Sequence, residues 1–165
     1  MKSDLKLHEY VCYSDESCTT GHDYMIIGGV LCRPDCERQF ITELGLIRKR
    51  PEAGWPFEWK NIRGRNLRQY EKIVDLFFEY NTEHCLDFSC LVVDCNQVDH
   101  DRHSEGDGDK GFNKFLYQHL LKHYRTMEPP SRFRCYHDRR GSRYTLDDIK
   151  QMLNFKNNFE GGKIV

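Results

Sequence analysis

The sequence predicts an α/β domain on a mixed sheet that opens with an antiparallel hairpin and carries helices on both faces. Three observations point there. Residues 7–14 and 24–32 are apolar, β-branched or aromatic stretches joined by the polar, turn-forming SDESCTTGHD. Beyond them, helical amphipathic patterns alternate with extended apolar stretches, the order of a sheet with helices packed on it. The 165 residues, 38% hydrophobic and 13% aromatic, suffice for one core, and no repeat or linker divides them, so a single domain over 1–165 is expected.

Each element has its own signal. Pro34 suits a first helical turn, and Phe40, Ile41, Leu44 and Ile47 follow at helical spacing through residues 35–50 until Pro51, Gly54 and Pro56 end the pattern. Residues 55–62 read as a short extended piece. The next helix, 67–80, places Tyr70, Ile73, Val74, Phe77 and Phe78 on one stripe. Residues 86–95 are the clearest core strand. Residues 96–111 are polar and long for a connection, which marks a functional or disordered loop; its SEGDGDKG departs from the calcium-loop pattern and lacks the closing glutamate. A helix over 112–127 ends before Glu128-Pro129-Pro130. Its His119 and His123 stand four apart with no third ligand, so they read as core or surface histidines. Residues 132–138 form a last strand, and Thr145 with Asp148 three residues on caps a helix over 145–154.

Composition removes several classes of function. The longest apolar stretch, residues 24–32, is far short of the about 20 residues that a spanning helix needs, so no membrane partner is expected. The N-terminus MKSDLKLHEY has no signal-peptide pattern, which makes the cytoplasm the expected location and the eight cysteines reduced. No Cys-x-x-Cys pair supports a zinc site. Net charge is only −1, but it is segregated: residues 87–109 hold seven acids against Arg102 alone, whereas 110–150 hold ten bases against four acids. An enzyme acting on nucleic acid needs such a division, with bases to hold phosphates and a few acids to hold a metal.

The acids that matter end the strands. Asp15 and Glu16 close the first, Glu58 lies in the extended piece with Lys60 two residues on, Asp94 closes the core strand and Asp138 closes the last. Asp87, Asp99 and Asp101 are expected to be solvated. Two carboxylates ~4 Å apart repel by roughly 4 kcal/mol at an effective dielectric of ~20. A shared divalent cation reverses that repulsion, and oxygen-only donors select Mg²⁺ or Mn²⁺, with two ions clamping a phosphodiester. Ordinary turn aspartates, and a Glu58 simply paired with Lys60, are the competing structural reading.

Tyr13-Ser14-Asp15-Glu16-Ser17, followed by Tyr24-Met25-Ile26-Ile27-Gly28-Gly29-Val30, resembles the opening of the domain-of-unknown-function 3800 family, an extended Asp-Glu-Ser-Gly motif and an apolar Gly-Gly strand. Glu58-Trp59-Lys60 resembles its Glu-x-Lys element, and Tyr136-His137-Asp138-Arg139-Arg140 its later strand ending in Asp. The resemblance runs from about residue 9 to 154 and implies a ribonuclease H-like fold and a metal-dependent nuclease of RNA or DNA. It implies metal-site roles for Asp15, Glu58 and Asp138, with Glu16 and Lys60 in support; Asp94 joins that set from its strand-end position. Arg139, Arg140 and Arg143 are expected to grip the phosphate backbone, and His22 or His137 to move protons. Two features depart from the family. Cys18 stands where glycine is usual, and the sequence ends at Gly161-Gly162-Lys163-Ile164-Val165 without the family's Gln-Leu-Ala-Asp helix. The second departure implies a truncated or degenerate member, and with it the alternative of a nucleic-acid-binding module without catalysis. A cysteine-based redox or zinc protein is the third possibility.

Overall fold

The computed structural model describes residues 8–19, 21–48, 57–126, 131–138, 144–157 and 163–164, without the side chains of 123–126, 156–157 and 163–164. The chain forms two compact units, one of residues 1–31 with 88–165, the other of residues 32–87.

The first unit holds the sheet. β1 (His8–Ser17), β2 (Tyr24–Cys32), β3 (Leu86–Asp94) and β4 (Ser131–His137) lie in the order β3-β2-β1-β4, and the two-residue β5 (Lys163–Ile164) extends the β4 edge. Only residues 18–23 separate β1 from β2, too few for a parallel crossover, so the two pair antiparallel. β4 pairs parallel to β1, from His8 opposite Ser131 to Ser14 opposite His137, and β5 pairs parallel to β4. The sheet is therefore mixed, with the expected opening hairpin.

Strand side chains alternate between faces. One face carries Cys12, Met25, Ile27, Leu31, Val93 and Phe133, and α4 (Gly108–Thr126) and α5 (Leu146–Asn157) cover it with Phe112, Leu116, Leu120, Leu121, Ile149 and Leu153. Burying each large apolar side chain there is worth about 1.5–3 kcal/mol. The opposite face exposes Tyr13, Tyr24, Ile26, Phe88, Val92 and Tyr136.

Residues 96–111 depart from the expected loop. They hold a 3-10 turn, Cys95–Gln97, the short α3 (His100–Ser104) and the start of α4. The acids of this stretch make the difference by capping. Asp94 accepts from the Asn96 N–H, Asp99 from the Arg102 N–H, and Asp107 from the N–H groups of Asp109 and Lys110. Left-handed Glu105 and Gly106 turn the chain between the two helices. Thr145 stands at the N-cap position as expected, but the bond runs the other way: Asp148 Oδ2 reaches back and accepts from both the N–H and the hydroxyl of Thr145 at 3.2 Å.

The second unit packs α1 (Pro34–Arg48) against α2 (Leu67–Thr82). Its buried stripe on α2 is Gln69, Tyr70, Leu76 and Tyr80, rotated from the expected one, so that Val74 and Phe78 are exposed. Tyr80 of that stripe meets the ring of Phe40 of α1 edge-on, with centroids 5.2 Å apart. Cys36 and Cys85 are joined in a disulfide, against the expectation that every cysteine is reduced. The Arg33 N–H donates to the Cys85 carbonyl and brings the start of α1 to the end of α2. Residues 57–62 contain no strand; Trp59–Asn61 is a 3-10 turn, because the Asn61 N–H turns back onto the Glu58 carbonyl. Among the described residues no helix is long and apolar enough to cross a membrane.

Candidate functional site at the ends of β1 and β4

Two four-residue stretches meet here. Cys12-Tyr13-Ser14-Asp15 on β1 and Cys135-Tyr136-His137-Asp138 at the end of β4 share the pattern Cys-Tyr-x-Asp, and the parallel register lays cysteine on cysteine, tyrosine on tyrosine and Ser14 on His137. The Asp138 N–H donates to the Ser14 carbonyl at 3.1 Å and carries the alignment one residue further, so Asp15, two residues before the end of β1, and Asp138, directly after β4, lie on neighbouring stretches of chain. By alternation both belong to the face that carries Tyr13 and Tyr136. Those two rings stack with centroids 5.3 Å apart and planes 16° from parallel. Both aspartates are exposed, and Asp15 Oδ1 accepts from the Glu16 N–H at 2.8 Å.

Glu16 turns to the opposite face. Its Oε2 lies 3.1 Å from His137 Nε2, an ion-pair distance off the hydrogen-bond line, in surroundings where His137 is 5% and Glu16 17% exposed. His137 Nδ1 shares a proton with Ser14 Oγ at 3.0 Å. Ser14, His137 and Cys135 line a cavity of about 200 Å³ closed by α4 and α5. Deeper in, Cys12 donates to Cys135. That bond and burial push the Cys12 thiol well up, and the same bond draws the Cys135 thiol down. Glu16 thus supports the site from behind, and both ring nitrogens of His137 face Ser14 and Glu16.

Asp94, Glu58 and Lys60 each have local partners. Asp94 uses both carboxylate oxygens locally, accepting from the Asn96 N–H at 3.0 Å and from Gln97 Nε2 at 2.7 Å. Glu58 and Lys60 belong to the second unit, where Lys60 Nζ lies 2.8 Å from Glu58 Oε2 and Asn61 Nδ2 donates to the same oxygen at 3.3 Å. The Glu58 carboxylate, bonded to the Lys60 ammonium, raises the pKa of that fully exposed group. The Tyr70 hydroxyl donates to the Glu58 carbonyl and fixes its backbone. Arg139, Arg140 and Arg143 lie outside the described residues. His119 is a core histidine on α4, while His22 lies in the exposed connection between β1 and β2. Among the described residues no three His, Cys, Asp or Glu side chains gather closely enough to hold a metal ion.

No known family and no curated protein matches the chain.

Sequence reasoning singled out Asp15 and Asp138 from their places near strand ends, and the fold makes them neighbours. It missed the Ser14–His137–Glu16 chain and the Tyr13–Tyr136 pair. Their signal was the shared Cys-Tyr-x-Asp pattern, legible once both segments are read as parallel neighbours.

Proposed function

We propose that the chain is a ribonuclease H-like, divalent-metal-dependent phosphodiesterase of RNA or DNA, a cytoplasmic member of the domain-of-unknown-function 3800 family. The observation that carries this reading is that Asp15, near the end of β1, and Asp138, directly after β4, lie on neighbouring stretches of chain and on one face. Two exposed carboxylates are hard oxygen donors, a chemistry that fits Mg²⁺ or Mn²⁺. A cation bound between them would cancel their mutual repulsion, polarise a phosphoryl oxygen and supply hydroxide near neutral pH. The chain's own residues do the rest. Asp15 and Asp138 hold position through backbone bonds, and His137 and Ser14 brace the strand ends from the core side. Arg139, Arg140 and Arg143 follow Asp138 directly in the sequence and are assigned to the phosphate backbone.

The test is cleavage of labelled single-stranded and duplex RNA and DNA in Mn²⁺ against EDTA. Divalent-dependent cleavage by the wild type, abolished in Asp15→Asn and Asp138→Asn, supports the reading. No cleavage by the wild type overturns it. A second reading, a binding module without catalysis, is favoured by one observation, that no third ligand joins the two aspartates among the described residues. It predicts nucleic-acid binding that persists in EDTA and no cleavage under any condition.

A further inference from the structure

The open face of the sheet beside Asp15 carries a groove of about 380 Å³, lined by residues of β1, β2 and β3. Gly28 on β2 contributes no side chain to it. Phe88 of β3 leans into the space, its Cε2 3.6 Å from where a Cβ on residue 28 would stand. Ile26 and Val30 flank the glycine, Tyr13 of β1 forms the far wall, and Asp15 and Ser17 close the end nearest the aspartate pair. Tyr13 is 39%, Tyr136 50% and Phe88 58% exposed. Two strand spacings, with β2 between, separate Phe88 on β3 from Tyr13 on β1, about 10 Å at the ordinary strand spacing, and a third ring, Tyr136, stacks on the outer side of Tyr13.

We infer that this face is a stacking platform for single-stranded nucleic acid, a substrate class that rests on the phosphodiesterase reading above. Unpaired bases offer flat π-faces that stack on aromatic rings whatever the base, whereas bases within a duplex are stacked on each other and unavailable. A strand with one base on Phe88 over Gly28 and another on the outer face of Tyr136 runs its backbone past the Asp15–Asp138 pair. Arg134 is exposed two residues before Tyr136, on the same face of β4. Charge argues against a second protein as the occupant. The centre of a protein interface is depleted of charged residues, and this face places Asp15, Asp138 and Arg134 among its rings.

The experiment measures fluorescence anisotropy of a fluorescein-labelled oligo(dT) strand, and of a blunt duplex of equal length, with the whole chain in EDTA. The platform predicts tighter binding of the single strand. Phe88→Ala and Tyr136→Ala, both at exposed positions, should each weaken it by about five- to 150-fold, the range of one lost base–aromatic stack. Gly28→Val, which fills the groove, should act in the same direction, and circular dichroism checks that each variant folds. Equal affinity for duplex and single strand, or Phe88→Ala and Tyr136→Ala variants that fold and bind like wild type, overturns the platform. So does a wild-type dimer in sedimentation that Phe88→Ala dissolves, since a second copy then covers the face. Failure of Mn²⁺-dependent cleavage is a separate result: it removes the phosphodiesterase reading and leaves this EDTA measurement unchanged.

Discussion

Gly29 on β2 leaves room for one ring. A Cβ there would stand 2.8 Å from His119 Nε2 and 3.3 Å from the Tyr13 carbonyl, so the close packing of α4 on the hairpin depends on its absence. Gly29→Ala should destabilise the protein by about 1–3 kcal/mol, the usual cost of overpacking, read from urea denaturation. Cys18 presents the opposite case. The chain leaves β1 through this residue at φ 60°, in the left-handed region where an L side chain crowds the backbone. Because Cys18 is exposed and its thiol meets its neighbour Ser17, Cys18→Gly should stabilise the fold by about 1 kcal/mol in the same assay.

At the scale of elements, the acids of residues 94–109 cap short helices, and their caps account for much of the negative charge that reads from sequence as a polar loop. The Cys36–Cys85 bridge ties the start of α1 to the end of α2 across a separation of 49 residues. A loop of that size corresponds to roughly 4 kcal/mol of unfolded-state entropy. Reduction by dithiothreitol, or Cys36→Ser, should therefore lower the melting temperature, and mass spectrometry of the non-reduced protein should show the Cys36–Cys85 peptide pair. In the same unit, burial and the nearby Glu43 push the Tyr80 phenol up to about 12 from an ordinary 10. The folded state holds that proton more tightly than the unfolded chain. The resulting stability is complete below pH 10 and is lost as pH rises toward about 12. Denaturation midpoints across that window should fall more steeply for wild type than for Tyr80→Phe.

For the whole molecule, the decisive feature is that β4, the last long strand, lies beside β1, the first. That pairing makes Asp15 and Asp138 neighbours and creates the stacked tyrosines between them and the groove. Mn²⁺ bound there and not to the unfolded chain should raise stability by about 2.7 kcal/mol at a hundredfold excess over its dissociation constant. Thermal melts with and without Mn²⁺ should show this shift in wild type, and Asp15→Asn and Asp138→Asn should lose it.

The hairpin, the helices around residues 34–48, 67–82, 112–126 and 146–157, and the strand-end acids were legible from the sequence, because alternation, helical spacing and capping are carried by residues a few positions apart. The extended piece at Glu58 and the loop at 96–111 were misread for a local reason: short 3-10 and capped turns have no apolar period to reveal them. The hydrogen bond between Ser14 and His137 spans 123 residues, and the Cys36–Cys85 bridge spans 49. No local pattern specifies such partners, since they form only when the chain folds back on itself. The sequence by itself determined which side chains each strand presents on each face. Only the tertiary structure decided which strands became neighbours, and so which aspartates, tyrosines and cysteines meet.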